Sequence, residues 1–388
     1  MMSSISVKLN KVTLIYGILV SIIFCYILFN NIGDRHLYVF LIGIGLGISL
    51  YHASFGFTGG WRKFIEKRDS QFLRSQLIML ALAVIVFTIF INSKSFIYDA
   101  KMIGAVAPIG ISVIIGSFIF GFAMQIGGGC GSGTLFTAGS GNLKMIVTLV
   151  FFIFGSLIGS YHFDFWTQFP SLGSISLLNS YTKIQTILLQ LGLISILYLF
   201  ISKLDFDKKI NHFDITDLKT HSNLIRGEWP LIWGVVLLVF FNFLMLQAAG
   251  HPWSVTFAFG LWGAKIASAM GFNVETWSYW QLSYPSIALE NSVLADPTTV
   301  SNIGIILGAL IASSLSGGIS TISNINKKLI LAGVIGGFLM GYGARLAFGC
   351  NIGALFSGIA SGSLHGWVWF LFAFLGSIIG VKFRKFFY

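Results

Sequence analysis

The chain has 388 residues, 55% of them hydrophobic and 10% charged, with a formal net charge of +11 at pH 7. Apolar runs of about 20 residues recur along its whole length, which excludes a soluble domain and points to a polytopic, all-α membrane protein. The runs are continuous rather than alternating at period two, which excludes a transmembrane β-barrel. Most Lys and Arg flank the runs, so the charge marks cytoplasmic loops and a lipid bilayer with anionic headgroups, not nucleic acid.

In chain order, residues 12–30 follow Lys8 and Lys11 in the manner of a signal peptide. No A-x-A-like cleavage site follows them and the span is long, so an uncleaved first helix is expected. Further spans are expected at 36–52, 75–92, 103–125, 143–161, 184–202, 230–247, 253–270, 299–317, 329–346 and 364–383. The polar stretch 203–228 separates an N-terminal half with the first helix (1–202) from a C-terminal half (229–388). The three cysteines, Cys25, Cys130 and Cys350, all fall in membrane segments. Their odd number and placement argue against a disulfide framework. Neither a GxxxxGK[ST] nor an HExxH nor a CxxC occurs. No cofactor, no metal and no enzymatic activity are therefore expected.

One glycine-rich phrase occurs twice. GFAMQIGGGCGSGTLF (121–136) and GYGARLAFGCNIGALF (341–356) share Gly121/Gly341, Gly129/Gly349, Cys130/Cys350, Gly133/Gly353, Leu135/Leu355 and Phe136/Phe356 at an offset of 220. FGSLIGS (154–160) answers LGSIIGV (375–381), and GLGISLYHASFGF (45–57) can be laid on GLWGAKIASAMGF (260–272). Three matches in one order argue for an internal duplication. The stretch 62–74 holds Arg62, Lys63, Lys67, Arg68 and Arg74, whereas 273–297 holds Glu275, Glu290 and Asp296 and no Lys or Arg. Equivalent loops of opposite charge bias predict halves inverted across the membrane.

Many of the 45 glycines are spaced as GxxxG, including Gly43/Gly47, Gly155/Gly159 and Gly376/Gly380, which suits close helix packing. The cluster Gly127, Gly128, Gly129, Gly131 and Gly133 is different, because such a run is poor helix. Broken helices repeated near the bilayer midplane are the sequence pointer to a transport site. A break at Cys130 lets a short helix start near Ser132 or Gly133, with free N–H groups and a positive dipole end facing the break. The second copy offers the same near Ile352. Thiols along this path provide soft, weak contacts suited to sulfur, though a free cysteine is also a common small buried hydrophobe. Gly129, Gly131, Gly133, Gly349, Asn351 and Gly353 complete the candidate path. Lys265 and Arg345 are the cations most clearly inside apolar spans; such residues face a cavity or a partner. Gln125 holds before Cys130 the place that Arg345 holds before Cys350. Ser54 is a candidate polar lining residue, with helix packing as its competing role.

At GGGCGSG (127–133), FGCNIG (348–353) and the paired upstream segments, the chain resembles the YeeE/YedE family of sulfur-transport membrane proteins, over about residues 37–388. The resemblance implies a helical fold with short helices dipping to the centre and Cys130 and Cys350 on a narrow path. It implies a plasma-membrane permease, in bacteria of the inner membrane, for a small sulfur oxyanion, thiosulfate first. It also implies a separate cytosolic sulfur carrier of the TusA type as a partner. Thiosulfate-uptake members carry a further cysteine in the first upstream segment; here that region reads HASFGFTGG. Another sulfur or selenium species, or a membrane thiol-redox protein, stands as the alternative.

Overall fold

In lipid the backbone has no partner but itself, so each apolar run closes into a helix. The computed structural model describes residues 9–98, 100–205, 221–318 and 326–388. Residues 206–220 of the polar stretch expected at 203–228 lie outside it. The first set of elements is α1 (Lys11–Asn31), α2 (Asp34–His52), α3 (Phe57–Lys67), α4 (Gln71–Phe90), a short strand β1 (Pro108–Gly110), α5 (Ile111–Gly127), α6 (Gly131–Gly139), α7 (Leu143–Tyr161) and α8 (Phe163–Thr167). Strand β2 (Ser171–Ser174), which pairs antiparallel with β1, leads through α9 (Leu177–Ser180) to α10 (Lys183–Lys203). The second set is α11 (His221–Arg226), α12 (Leu231–Ala249), α13 (Thr256–Ala269), α14 (Ser283–Glu290), α15 (Pro297–Ser316) and α16 (Lys327–Leu346). A π-helical turn (Asn351–Phe356) then runs into α17 (Ser357–Ala360), and α18 (Leu364–Arg384) follows.

Among the described residues, ten segments are long and apolar enough to cross a membrane. The sequence reading expected eleven. The difference is 253–270, where the helix is α13 with 14 residues, preceded by the non-helical stretch 250–255. Fourteen residues reach only ~21 Å, short of the ~30 Å hydrocarbon core. The expected span 103–125 also begins later, at Ile111, after β1.

Packing follows an internal symmetry. α5 lies on α18 as α16 lies on α7; α2 lies on α15 as α12 lies on α4; α1 covers α15 as α10 covers α4. The matched helices run antiparallel. Arg35, at the start of α2, donates to the Ala248 and Ala249 carbonyls at the end of α12 (2.8 and 2.6 Å). At the other end the Trp229 N–H, just before α12, donates to the His52 carbonyl. In the α5/α16 pair Gly127 lies against Gly336 and Gly116 against Gly343. Small residues permit these contacts: a Cβ on Gly155 (α7) would overlap the Phe338 carbonyl (α16), and one on Gly376 (α18) would overlap the Phe118 carbonyl (α5).

The upstream pairing is corrected by topology. Gly45 lies within α2, before the first break, whereas Gly260 lies within α13, after the second. Matching break with break pairs Ser54 with Ser254, Phe57 with Phe257 and Gly60 with Gly260, at an offset of 200.

Candidate functional site

Both copies of the cysteine phrase solve the same backbone problem. α5 stops at Gly128, a left-handed residue (φ 88°) whose N–H closes on the Met124 carbonyl. The chain passes through Cys130 in an extended conformation and restarts as α6. In the second copy the left-handed position is Phe348 (φ 55°), followed by Gly349 (φ 149°) and extended Cys350, and the chain restarts as the π turn. A non-glycine residue held left-handed costs ~1–3 kcal/mol and is concentrated at functional sites, as are π turns. Gly129 and Gly349 let the backbone fold back on the new helix: a Cβ at Gly129 would lie 3.2 Å from the Thr134 nitrogen, and one at Gly349 2.7 Å from the Ala354 nitrogen.

Each thiol caps the helix that follows it. The Cys130 sulfur accepts from the Gly133 N–H at 3.4 Å and lies 3.6 Å from the Ser132 hydroxyl. The Cys350 sulfur accepts from the Ile352 N–H at 3.4 Å. Oxygen is the usual cap, and sulfur is a weak acceptor. The helix starts are thus loosely capped and their positive ends are poorly neutralised.

The two phrases touch. The Cys350 sulfur lies 3.0 Å from where a Cβ on Gly131 would sit, and the Thr256 methyl lies 3.5 Å from the same point. The missing side chain of Gly131 is the space in which the thiol of the other half is seated. Cys130 is 1% exposed and Cys350 is fully buried. A Cβ on Gly133 would meet the Cys130 sulfur at 3.4 Å, and one on Gly353 the Ser254 hydroxyl at 3.4 Å. Asn351, fully buried, has no hydrogen-bond partner at either end of its amide.

Gln125 and Arg345 stand behind the cysteines in equivalent roles. The Gln125 amide donates to the Thr58 carbonyl of α3 at 3.2 Å and its oxygen has no partner. The Arg345 guanidinium sits 4.2 Å over the Tyr279 ring, donates to the Tyr279 hydroxyl and presses on Gly260 of α13. Each ties its broken helix to the short helix of its own half. Lys265 donates to the Leu289 and Asn291 carbonyls at the end of α14, a helix C-terminus that favours a cation. It is nine residues along α13 from Thr256, or ~13 Å. Ser54 is exposed, in a left-handed turn (φ 47°) between α2 and α3.

The structure therefore gathers Cys130, Cys350, Gly129, Gly131, Gly133, Gly349, Asn351 and Gly353 at one place. Gln125 and Arg345 lie one layer out, and Lys265 and Ser54 stand at the periphery. Sequence reasoning missed Ser254 and Thr256. The signal was available: Ser254 follows His251-Pro252, a dipeptide that disfavours helix, at the offset of 200 from Ser54. Among the described residues no group of His, Cys, Asp or Glu is placed to hold a metal ion, and all three cysteines are free thiols.

These features define a polytopic helical membrane protein whose two mirrored halves each send a cysteine-capped half-helix to a common centre. A family profile described as sulphur transport matches residues 52–379, and the chain belongs to that family. The thiosulfate transporter TsuA of Spirochaeta thermophila is 26% identical over 356 residues, covering 87% of this chain and 95% of that protein. TsuA of Escherichia coli K12 is 23% identical over 350 residues, covering 87% and 91%. The probable transporter YedE of Escherichia coli K12 is 31% identical over 163 residues, covering 42% of this chain; the match spans 39% of YedE's own length.

Proposed function

We propose that the chain is a permease that carries a small sulfur-containing anion, thiosulfate first, through the constriction between Cys130 and Cys350. The observation that supports this most is the seating of the Cys350 thiol against Gly131, beside Cys130, where the two halves meet. A helix start with a weak sulfur cap attracts an anion through its dipole. A thiol contacts a terminal sulfur softly enough to release it, as conduction requires. Relatives named thiosulfate transporters that match 87% of this chain point the same way. In this reading the membrane is the bacterial inner membrane, and a TusA-like carrier takes up the product in the cytosol.

Uptake of labelled thiosulfate into proteoliposomes tests the reading. Cys130→Ala and Cys350→Ala are each expected to fall to the level of empty vesicles while eluting as the wild type does in detergent. Wild-type uptake by either variant overturns it. Competition with sulfite, sulfate and selenium analogues ranks the substrates. The proximity of the two thiols also favours a thiol-redox reading; a Cys130–Cys350 disulfide that opens and closes in cells would support that instead.

A further inference from the structure

The two cysteine phrases differ at the residue after the thiol, Gly131 in one and Asn351 in the other. At Gly131 the Cys350 sulfur occupies the side-chain space. Asn351 is the reverse: a side chain with two donors and two acceptor lone pairs, 0% exposed, with neither its nitrogen nor its oxygen bonded to protein. An unbonded buried amide loses several favourable contacts with water and is rare unless something else completes it. It sits in the first turn of the segment that packs on α6, directly after Cys350, where the loosely capped N–H groups begin.

We propose that Asn351 is the specificity-determining residue of the path and that its amide N–H groups bind the oxygen end of the transported anion while the thiols face its sulfur end. This rests on the permease reading and narrows its substrate class. The cargo is an anion with a soft sulfur at one end and hard oxygens at the other. Hydrosulfide lacks the oxygens and sulfate lacks the terminal sulfur, so each satisfies half of the site. A site built to hydrogen-bond a substrate rejects an analogue that leaves its buried polar groups unpaired.

The duplication supplies the control. Asn351→Gly installs the residue that the other copy already carries, and no new atom has to be accommodated. Asn351→Leu keeps the branching of the side chain, with somewhat more bulk, and removes the donors. Asn351→Asp keeps the shape and replaces the donors with a negative charge. Wild type and variants are reconstituted in proteoliposomes, and labelled thiosulfate influx is measured with and without excess hydrosulfide or sulfate.

The expected result for Asn351→Gly is a rise in the thiosulfate KM of roughly tenfold or more, the loss associated with one hydrogen bond to a charged group. Its maximal rate should change much less, and inhibition by hydrosulfide should be retained. Asn351→Asp should be blocked at neutral pH. If Asn351→Leu is lost on solubilisation, Asn351→Gly carries the test, with thermal stability in detergent showing that it is folded. A folded Asn351→Gly with wild-type KM and wild-type discrimination overturns the proposal. Failure of the wild type itself to take up thiosulfate would instead overturn the permease reading.

Discussion

The two cysteine phrases share a backbone and differ in side chains. Both run from a helix through a left-handed residue to an extended cysteine and a new helix. Yet Gly128 is answered by Phe348, Gly131 by Asn351, Ser132 by Ile352 and Gln125 by Arg345. The backbone course and the thiol position are the same in both copies, while the side chains around them, even at the left-handed residue, have diverged. A symmetric scaffold thus holds an asymmetric centre, one side offering a hydroxyl near its thiol and the other an unbonded amide.

The largest expected effect separates cap strength from passage. Cys130→Ser and Cys350→Ser each replace a weak sulfur cap with an oxygen one, worth ~0.5–1 kcal/mol to the helix start. Thermal stability in detergent should hold or rise. Thiosulfate uptake should fall at least about tenfold, because a hard hydroxyl holds the oxyanion and water more tightly, and ~1.4 kcal/mol of extra retention is a factor of ten. If both serine variants transport like the wild type, the sulfur atoms have no special part and the comparison of the two thiols loses its meaning.

Next in size is the scaffold itself. Gly155 meets Phe338, and Gly376 meets Phe118, through the same backbone approach in the two halves. An alanine at either position must push two helices apart against a carbonyl that cannot rotate away. Such overpacking costs ~1–3 kcal/mol. Gly155→Ala and Gly376→Ala should lower the melting temperature by similar amounts, and Gly192→Ala, where no atom lies within 4 Å of the added Cβ, should not. A large difference between the first two would show that the halves are not packed alike.

Smaller again is Gly131→Ala. The added Cβ would lie 3.0 Å from the Cys350 sulfur, the movable end of a side chain rather than backbone. Stability should change by less than about 1 kcal/mol while uptake falls several-fold, because the thiol on which the proposed passage depends is displaced. Unchanged uptake would place the route of passage elsewhere.

How much of this was legible in the sequence depends on what each residue had to preserve. The cysteine phrase is legible because Gly129 and Gly349 stand where backbone passes too close for a side chain, and the cysteines and Gly133/Gly353 repeat in step with them. The upstream repeat was mispaired because its constraint is topological. The break after α2 is made by Ser54 in a left-handed turn, and the break after α12 by Gly250 and Pro252, so the two share few letters. Matching Gly45 to Gly260 followed helix-packing glycines, which recur throughout the chain. Arg345 and Lys265 looked alike as cations in apolar runs. One is stacked on Tyr279 behind the cysteines and the other closes α14, a distinction set by neighbours distant in sequence. Asn351 stood in the candidate path, but its unbonded state belongs to three dimensions alone.

An effect read in stability alone, and not in uptake, bears most directly on whether the two turns are the same. In ordinary helical or extended backbone, alanine is more stable than glycine by ~0.5–1 kcal/mol. At a left-handed residue the order inverts, because Cβ crowds the following carbonyl at a cost of ~1–2 kcal/mol. Gly128→Ala should therefore destabilise by ~1–2 kcal/mol; the nearest obstacles to its Cβ, the Tyr388 hydroxyl at 2.7 Å and the Lys144 amine at 2.8 Å, are ends of side chains that can yield. At the mirrored position the ring of Phe348 packs edge-on to Phe163, so its removal has a cost of its own. Phe348→Ala and Phe348→Gly both lose that ring, and only the alanine keeps a Cβ at φ 55°. Phe348→Gly should thus melt above Phe348→Ala by the amount that separates wild type from Gly128→Ala. If alanine proves the more stable replacement at 348, the left-handed turn is not held there, and the backbone identity on which the pairing of Cys130 with Cys350 rests would fail at its second copy.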